Sequence, residues 1–343
     1  MTGAARAVLG GWLVACALLA GCGGTDEEPP PAPSTAFAQA LETVGGGGEG
    51  ASLGVGWVDG QAARTTRGRD LEQALAPNAS SVVEQAAALR RRFGFDPLAA
   101  HTLVSIGGSY AFGLRLDGVR AGRLPRALIA AGGRVKPAGD GGRLLDIGGY
   151  ASVPSPLLEL GIRGLGARDA FSADGVVLAI SGRARESLLG GGGRLIEQPQ
   201  YVAAADCLGD VVAARLVPAK LLQSTELGVD LIAAALRRDA AEEVLCVMAG
   251  DAARADTAAA ALEHGFALRA RDPVTGRQIG EDLASVRVKR LTYGEVEAVR
   301  VELERRPSSP SGFVLRDIAN GALARYLVAA APQSEDRSLS PSD

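Results

Sequence analysis

Cysteine and histidine, the side chains most readily used as nucleophile and proton carrier near neutral pH, are few in this chain. There are four cysteines, at 16, 22, 207 and 246, and two histidines, at 101 and 264. One serine, Ser109, sits in Gly107-Gly108-Ser109-Tyr110-Ala111, close to the G-x-S-x-G turn that exposes a nucleophile, with alanine in the last place. Such an elbow needs a strand, a sharp turn and then a helix. Here the next residues, Phe112-Gly-Leu-Arg-Leu116, alternate like a half-buried strand, so the segment reads as a polar turn between strands. His264 lies downstream, where a base would be needed, but it also sits beside Gly265 in a last helical turn, where a positive ring suits the helix dipole. His101 follows Asp96-Pro97 in a loop. Two histidines and two widely spaced cysteines do not make a zinc site.

The glycine runs at 45–48 and 190–193 lack the Lys-Ser/Thr ending of a phosphate-binding loop, and read as a linker and a helix stop. Glu242-Glu243 reads as a charged helix start with no glycosidase geometry. Arg90-Arg91-Arg92 reads as a solvated helix end, its charges offsetting the dipole, in preference to a contact with anionic headgroups. No cofactor or metal is expected, and no catalytic set; Ser109 is the one nucleophile a serine hydrolase would be built on.

The strongest chemical assignment is at the N-terminus. Arg6 precedes an apolar run from Ala7 to Ala20, of signal-peptide length and short for a membrane-spanning helix. Leu19-Ala20-Gly21-Cys22 resembles the lipobox of bacterial lipoproteins. The resemblance implies cleavage after residue 21 and a diacylglycerol on the Cys22 thiol, with the protein held on the extracytoplasmic face of a cell membrane. Cleavage before Cys16 would halve the apolar run, which favours Cys22. Acyl chains contribute about 0.8 kcal/mol for each buried methylene, so two or more anchor firmly. Residues after Cys22 are polar, acidic and proline-rich up to Ser34, and Gly45 to Gly48 add a flexible stretch. Residues 22–50 are therefore expected to be a tether with a mean span of about 30 Å.

That location sets the reading of the other cysteines. With Cys22 acylated, Cys207 and Cys246 remain in an oxidising space, and read as one disulfide, with a pair of buried free thiols as the alternative. Closing a loop of that size stabilises by about 4 kcal/mol. Removal of residues 1–21 leaves 35 basic against 39 acidic side chains, a net charge of −4, which is no footprint for nucleic acid. Aromatic residues make up only 4 % of the chain and Trp57 is the sole tryptophan after processing, which counts against a stacking site for sugars.

The folded part is built from recurring units. Phe112–Leu116, Val176–Ile180 and Val244–Met248 each read as a strand, a polar turn, a short helix and a glycine stop. Ser81-Val-Val-Glu84 reads as a capping box, opening a helix with Val82, Ala86, Leu89 and Phe93 on one face. Val286–Lys289 and Val299–Leu303 flank a turn at Thr292–Glu295, a hairpin with one face wet. A last helix is expected from Leu315 to Val328, striped by Ile318, Ala322 and Tyr326. The fold class is therefore α+β, with helices packed on one face of largely antiparallel sheets. Two similar lobes are expected, at 51–200 and 201–331, before a disordered tail at 332–343.

Phe95-Asp96-Pro97, Leu103-Val-Ser-Ile-Gly-Gly108, Val177-Leu-Ala-Ile-Ser-Gly182, Leu195–Tyr201 and Asp210–Arg215 occur in that order. This order is similar to a domain of unknown function in membrane-anchored extracytoplasmic proteins of actinobacteria and related bacteria, over about residues 52–225. The resemblance implies no activity and no site residues, and the lipid anchor and glycine runs depart from it. Anchor, tether and repeated units together point to a non-catalytic binding or interaction module of the cell envelope. Trp57, His101 and Tyr110 are its first candidates for contact with a ligand or partner. An importer's solute receptor would need two doubly wound lobes, and a lipid or glycolipid carrier would need a large apolar cavity.

Overall fold

The computed structural model describes residues 35–46, 54–65, 71–107, 112–138, 141–147, 155–222, 228–238, 241–309, 311–319, 321 and 323. The expected signal peptide, Cys22, most of the expected tether, Ser109, Tyr110 and the expected tail lie outside them.

Twelve strands form one sheet. The first seven are β1 (Gly54–Asp59), β2 (Thr102–Gly107), β3 (Phe112–Asp117), β4 (Arg134–Pro137), β5 (Arg143–Asp146), β6 (Arg168–Phe171) and β7 (Gly175–Ala179). The others are β8 (Val211–Pro218), β9 (Val229–Arg237), β10 (Glu242–Ala249), β11 (Leu283–Tyr293) and β12 (Val296–Arg305). Their order across the sheet is β11-β12-β10-β9-β8-β1-β2-β3-β7-β6-β5-β4, and every pairing is antiparallel. The ten helices among the described residues are α1 (Ala36–Glu42), α2 (Gly60–Thr65), α3 (Pro77–Glu84), α4 (Ala86–Phe93), α5 (Leu124–Ala130), α6 (Gly182–Leu188), α7 (Pro199–Leu208), α8 (Ala252–Gly265), α9 (Ile279–Asp282) and α10 (Phe313–Ala319). The class is α+β.

The strand order contains a repeat. β1-β2-β3 is a meander, α5 follows β3, and the chain returns so that β7 lies beside β3 and β6 beside β7. β8-β9-β10 is a second meander, α8 follows β10, and β12 returns beside β10 with β11 outside it. The two halves join where β1 pairs with β8, Val55 opposite Leu216 and Val58 opposite Ala213. They are thus halves of a continuous sheet, and the expected boundary after residue 200 falls inside α7.

Helices cover both faces, where the sequence reading placed them on one. α3, α4, α5, α8 and α10 share a core with Leu103, Leu114, Leu178, Ile232, Leu245 and Val301. α1, α6 and α7 share another with Trp57, Ile106, Ala214, Ala233 and Cys246. The physical reason is legible in hindsight. Val211–Leu216, Leu231–Leu236 and Val244–Ala249 are nearly continuous apolar runs, as strands buried on both sides are, with no alternation to leave a wet face. The β11–β12 hairpin alternates, and β11 is exposed or half-buried at every position but Leu283.

Several local expectations change. The expected helix at Ser81 is two helices that break at Gln85, and the first begins at Pro77, four residues ahead of the supposed capping box. Proline is pre-shaped for a first helical position and was the stronger start signal. The predicted face holds, with Val82, Ala86, Leu89 and Phe93 all buried. Glu242-Glu243 opens β10, and the Glu243 side chain is fully buried. Of the expected last helix, α10 runs from Phe313 to Ala319, Gly321 follows at φ +66°, and Leu323 is again helical; the residues from 324 on lie outside those described.

Residues 35–46, assigned above to the tether, belong to the fold. Thr35 caps α1 by accepting from the Ala38 N–H, and Phe37 and Leu41 are buried. The two glycine runs then meet. Gly45 N–H donates to the Ser187 carbonyl, and a Cβ on Gly45 would lie 2.0 Å from the Gly191 oxygen. The approach requires glycine, which is why this run is not merely linker. Among the described residues no helix is long and apolar enough to cross a membrane.

Candidate functional site

The candidate site is a pocket of roughly 470 Å³ at the join of the two halves, within the range of about 300–1,000 Å³ usual for small-molecule sites. Its floor is low because three of its residues carry no side chain. Gly54 pairs with Gly107 across β1 and β2, and Gly56 lies two residues further along β1. Gly56 is obligatory: a Cβ there would stand 2.2 Å from the Ala74 carbonyl oxygen and 2.5 Å from Ser105 Oγ. The short 3-10 turn Leu71–Ala74 crosses the sheet at this point, and Ser105 Oγ holds it by accepting from the Ala76 N–H at 2.9 Å. Leu216, Val217, Leu221 and Leu222 form one wall, and Ile318 and Ala319 at the end of α10 form another.

Arg215 is the charged residue of this apolar enclosure. It stands opposite Gly56 in the β1–β8 pairing, on the sheet face that the Leu71–Ala74 turn crosses. Its Nη1 donates to the Gln73 and Leu75 carbonyls, both at 3.1 Å. No carboxylate among the described residues pairs with it, and burial alone pulls its pKa down to about 10, so it stays charged at neutral pH. Neither Arg215 nor the three glycines were singled out from sequence. The one available signal was a basic residue in the otherwise apolar run Val211–Val217, a pattern that requires some polar partner for a buried charge.

Trp57, His101 and His264 do not line this pocket. Trp57 points to the opposite face, is 2 % exposed, and packs on Phe37 at 5.6 Å between ring centroids, so it is core and not a ligand contact. His101 is exposed at the start of β2, and His264 is exposed in the last turn of α8. Ser109 and Tyr110 lie outside the described residues, but Gly107 pairs with Phe112 and the chain after the turn is strand β3, not the helix an elbow requires. Cys207 and Cys246 are joined in a disulfide between α7 and β10. Arg90, Arg91 and Arg92 end α4 as expected, with Gly94 in the left-handed conformation after them. Arg92 pairs with Glu159 and Arg90 with Asp96.

Asp169, one of five buried acids among the described residues, lies outside the pocket. Asp169 on β6 is fully buried; its Oδ1 accepts from the Ala179 N–H at 3.2 Å, and its Oδ2 has no hydrogen-bond partner. Burial raises its pKa well above the usual carboxylate value, against the backbone donor and nearby Arg185. The folded state therefore holds its proton more tightly than the unfolded state, and stability falls as pH rises above the unfolded carboxylate range. Asp169→Asn removes that charge, so urea melts should show a gain of about 1 kcal/mol at pH 8 and almost none at pH 4. Equal shifts at both pH values would refute an ionising buried Asp169.

No protein-family model matches the chain, and no curated protein matches it. Solved structures of TP0453 are similar to it in outline. Crystal form I is 12 % identical, with a TM-score of 0.38 over 81 % of this chain and 97 % of that one. Crystal form III is 11 % identical, with a TM-score of 0.41 over 82 % and 98 %, and crystal form IV is 10 % identical, with 0.39 over 83 % and 99 %.

Proposed function

We propose that this chain is a non-catalytic binding module of the cell envelope, lipid-anchored at Cys22 on the extracytoplasmic face, that holds a small ligand between its two halves. The observation that carries the binding part is the pocket, where bare glycine backbone, apolar walls and one guanidinium converge. Supporting the anchor are Leu19-Ala-Gly-Cys22, the apolar run before it and the polar segment after it. The Cys207–Cys246 disulfide agrees with an oxidising compartment.

The two parts are tested separately. Cys22→Ser in the exported chain should move the protein from the membrane fraction to the soluble one, and retention in the membrane fraction would refute the anchor. Native mass spectrometry of the released protein should then find one small molecule per chain. A bare protein that also takes up nothing from an envelope lipid extract would refute the binding role.

A further inference from the structure

We infer that the pocket selects an amphiphile with one anionic head, a carboxylate or phosphate on an apolar body, and that Arg215 is the residue that reads the head. This rests on the binding role proposed above and adds the chemical class of the ligand.

The argument begins with a charge that the fold leaves uncompensated. Only Nη1 of Arg215 is engaged, by two backbone carbonyls, and carbonyls are neutral acceptors. Nε and Nη2 have no hydrogen-bond partner among the described residues, and Arg215 lines the pocket. Two other arginines of the same sheet differ. Arg115 pairs with Asp117 and Arg300 with Glu302. A guanidinium facing an apolar enclosure has a strong preference for an anion, and its planar fork matches the two oxygens of a carboxylate or phosphate.

The walls define the rest of the ligand. Val217, Leu221, Leu222 and Ile318 offer no polar side-chain atom, so a highly hydroxylated or multiply charged solute would lose its hydration without replacement. An apolar body is matched by the same walls through buried area. A purely structural Arg215, present only to hold the Leu71–Ala74 turn, would show no preference between charged and neutral ligands of equal length.

The test uses residues 22–343 with Cys22→Ser, which contain every described residue. Titration calorimetry compares dodecanoate, dodecyl phosphate and dodecanol, which share a tail and differ in the head. One or both anions should bind at unit stoichiometry and at least about tenfold tighter than dodecanol, the scale of one charge-assisted hydrogen bond. Which anion binds tighter separates a free carboxylate ligand from a lipid phosphate. Arg215→Gln should remove that preference while leaving dodecanol unchanged. Ala319→Trp, which fills the pocket from α10, should abolish all three. The comparison of heads needs no variant, so a poorly folding Arg215→Gln leaves the inference open to refutation. Equal affinity for dodecanol and dodecanoate would overturn the anionic head and keep the pocket as a binding site. Failure of all three to bind would overturn both.

Discussion

Glu243→Ala should lower the unfolding free energy by about 3–5 kcal/mol, the usual effect of stripping one partner from a buried charged network. Glu243 is fully buried at the start of β10 and its carboxylate is the receptor for the N-terminus of α10. Oε1 accepts from the Gly312 and Phe313 N–H groups at 2.7 and 3.0 Å, and Oε2 from Val314 at 2.9 Å. Arg305 on β12 approaches the same carboxylate at 3.5 Å. These donors offset part of the burial that still raises its pKa. The first N–H groups of a helix have no partner inside it, and here a strand residue about seventy positions earlier supplies one. Alanine leaves three buried donors unsatisfied, and the helix has only seven residues with which to hold itself in place. Urea melts give the magnitude, and amide exchange at Gly312–Val314 should become fast before the rest of the protein opens. Glu243→Gln keeps one good acceptor but turns its amide nitrogen toward a donor, so about 1–2 kcal/mol is expected. A loss under about 1 kcal/mol for the alanine variant would show that α10 is held by its apolar face alone. Because Ile318 and Ala319 form a pocket wall, a loosened α10 should also weaken ligand binding.

Replacing both Cys207 and Cys246 by serine should cost about 2–5 kcal/mol. The bridge closes a 39-residue separation that spans β8 and β9, and it fastens α7 to the middle of β10. Both cysteines are fully buried. Arg300 Nη1 donates to the Cys207 carbonyl at 2.8 Å, so the end of α7 is also tied to β12. The expected loss has two sources: a less restricted unfolded chain, and two hydroxyls placed where apolar sulfurs packed. In the native protein neither cysteine should react with an alkylating reagent after denaturation without reductant. Labelling of both would refute the disulfide in the exported protein, and a double variant as stable as the parent would refute its energetic role.

Much of the local structure was legible because it depends on neighbours along the chain. The three strand–turn–helix units became β3 with α5, β7 with α6 and β10 with α8. The hairpin at residues 283–305 formed with Tyr293 opposite Val296, and its turn lies within the predicted one. Cys207 and Cys246 were the two cysteines left after Cys22, so their pairing needed only a count and a compartment. Boundaries were less legible where two signals competed, as at Pro77 against Ser81.

What the sequence by itself determined is the strand and helix content, which rests on residue type and short-range spacing, and the cysteine pair, which rests on a count. Tertiary structure alone decided which elements meet. It drew α1 out of the supposed tether, because Phe37 and Leu41 find a face left open by the sheet. It turned two halves into one sheet by pairing β1 with β8, residues more than 150 positions apart. Placing Gly56 opposite Arg215 made the pocket and its charge together. A glycine and an arginine so far apart carry no mark of each other in the chain; register across the sheet creates their relation.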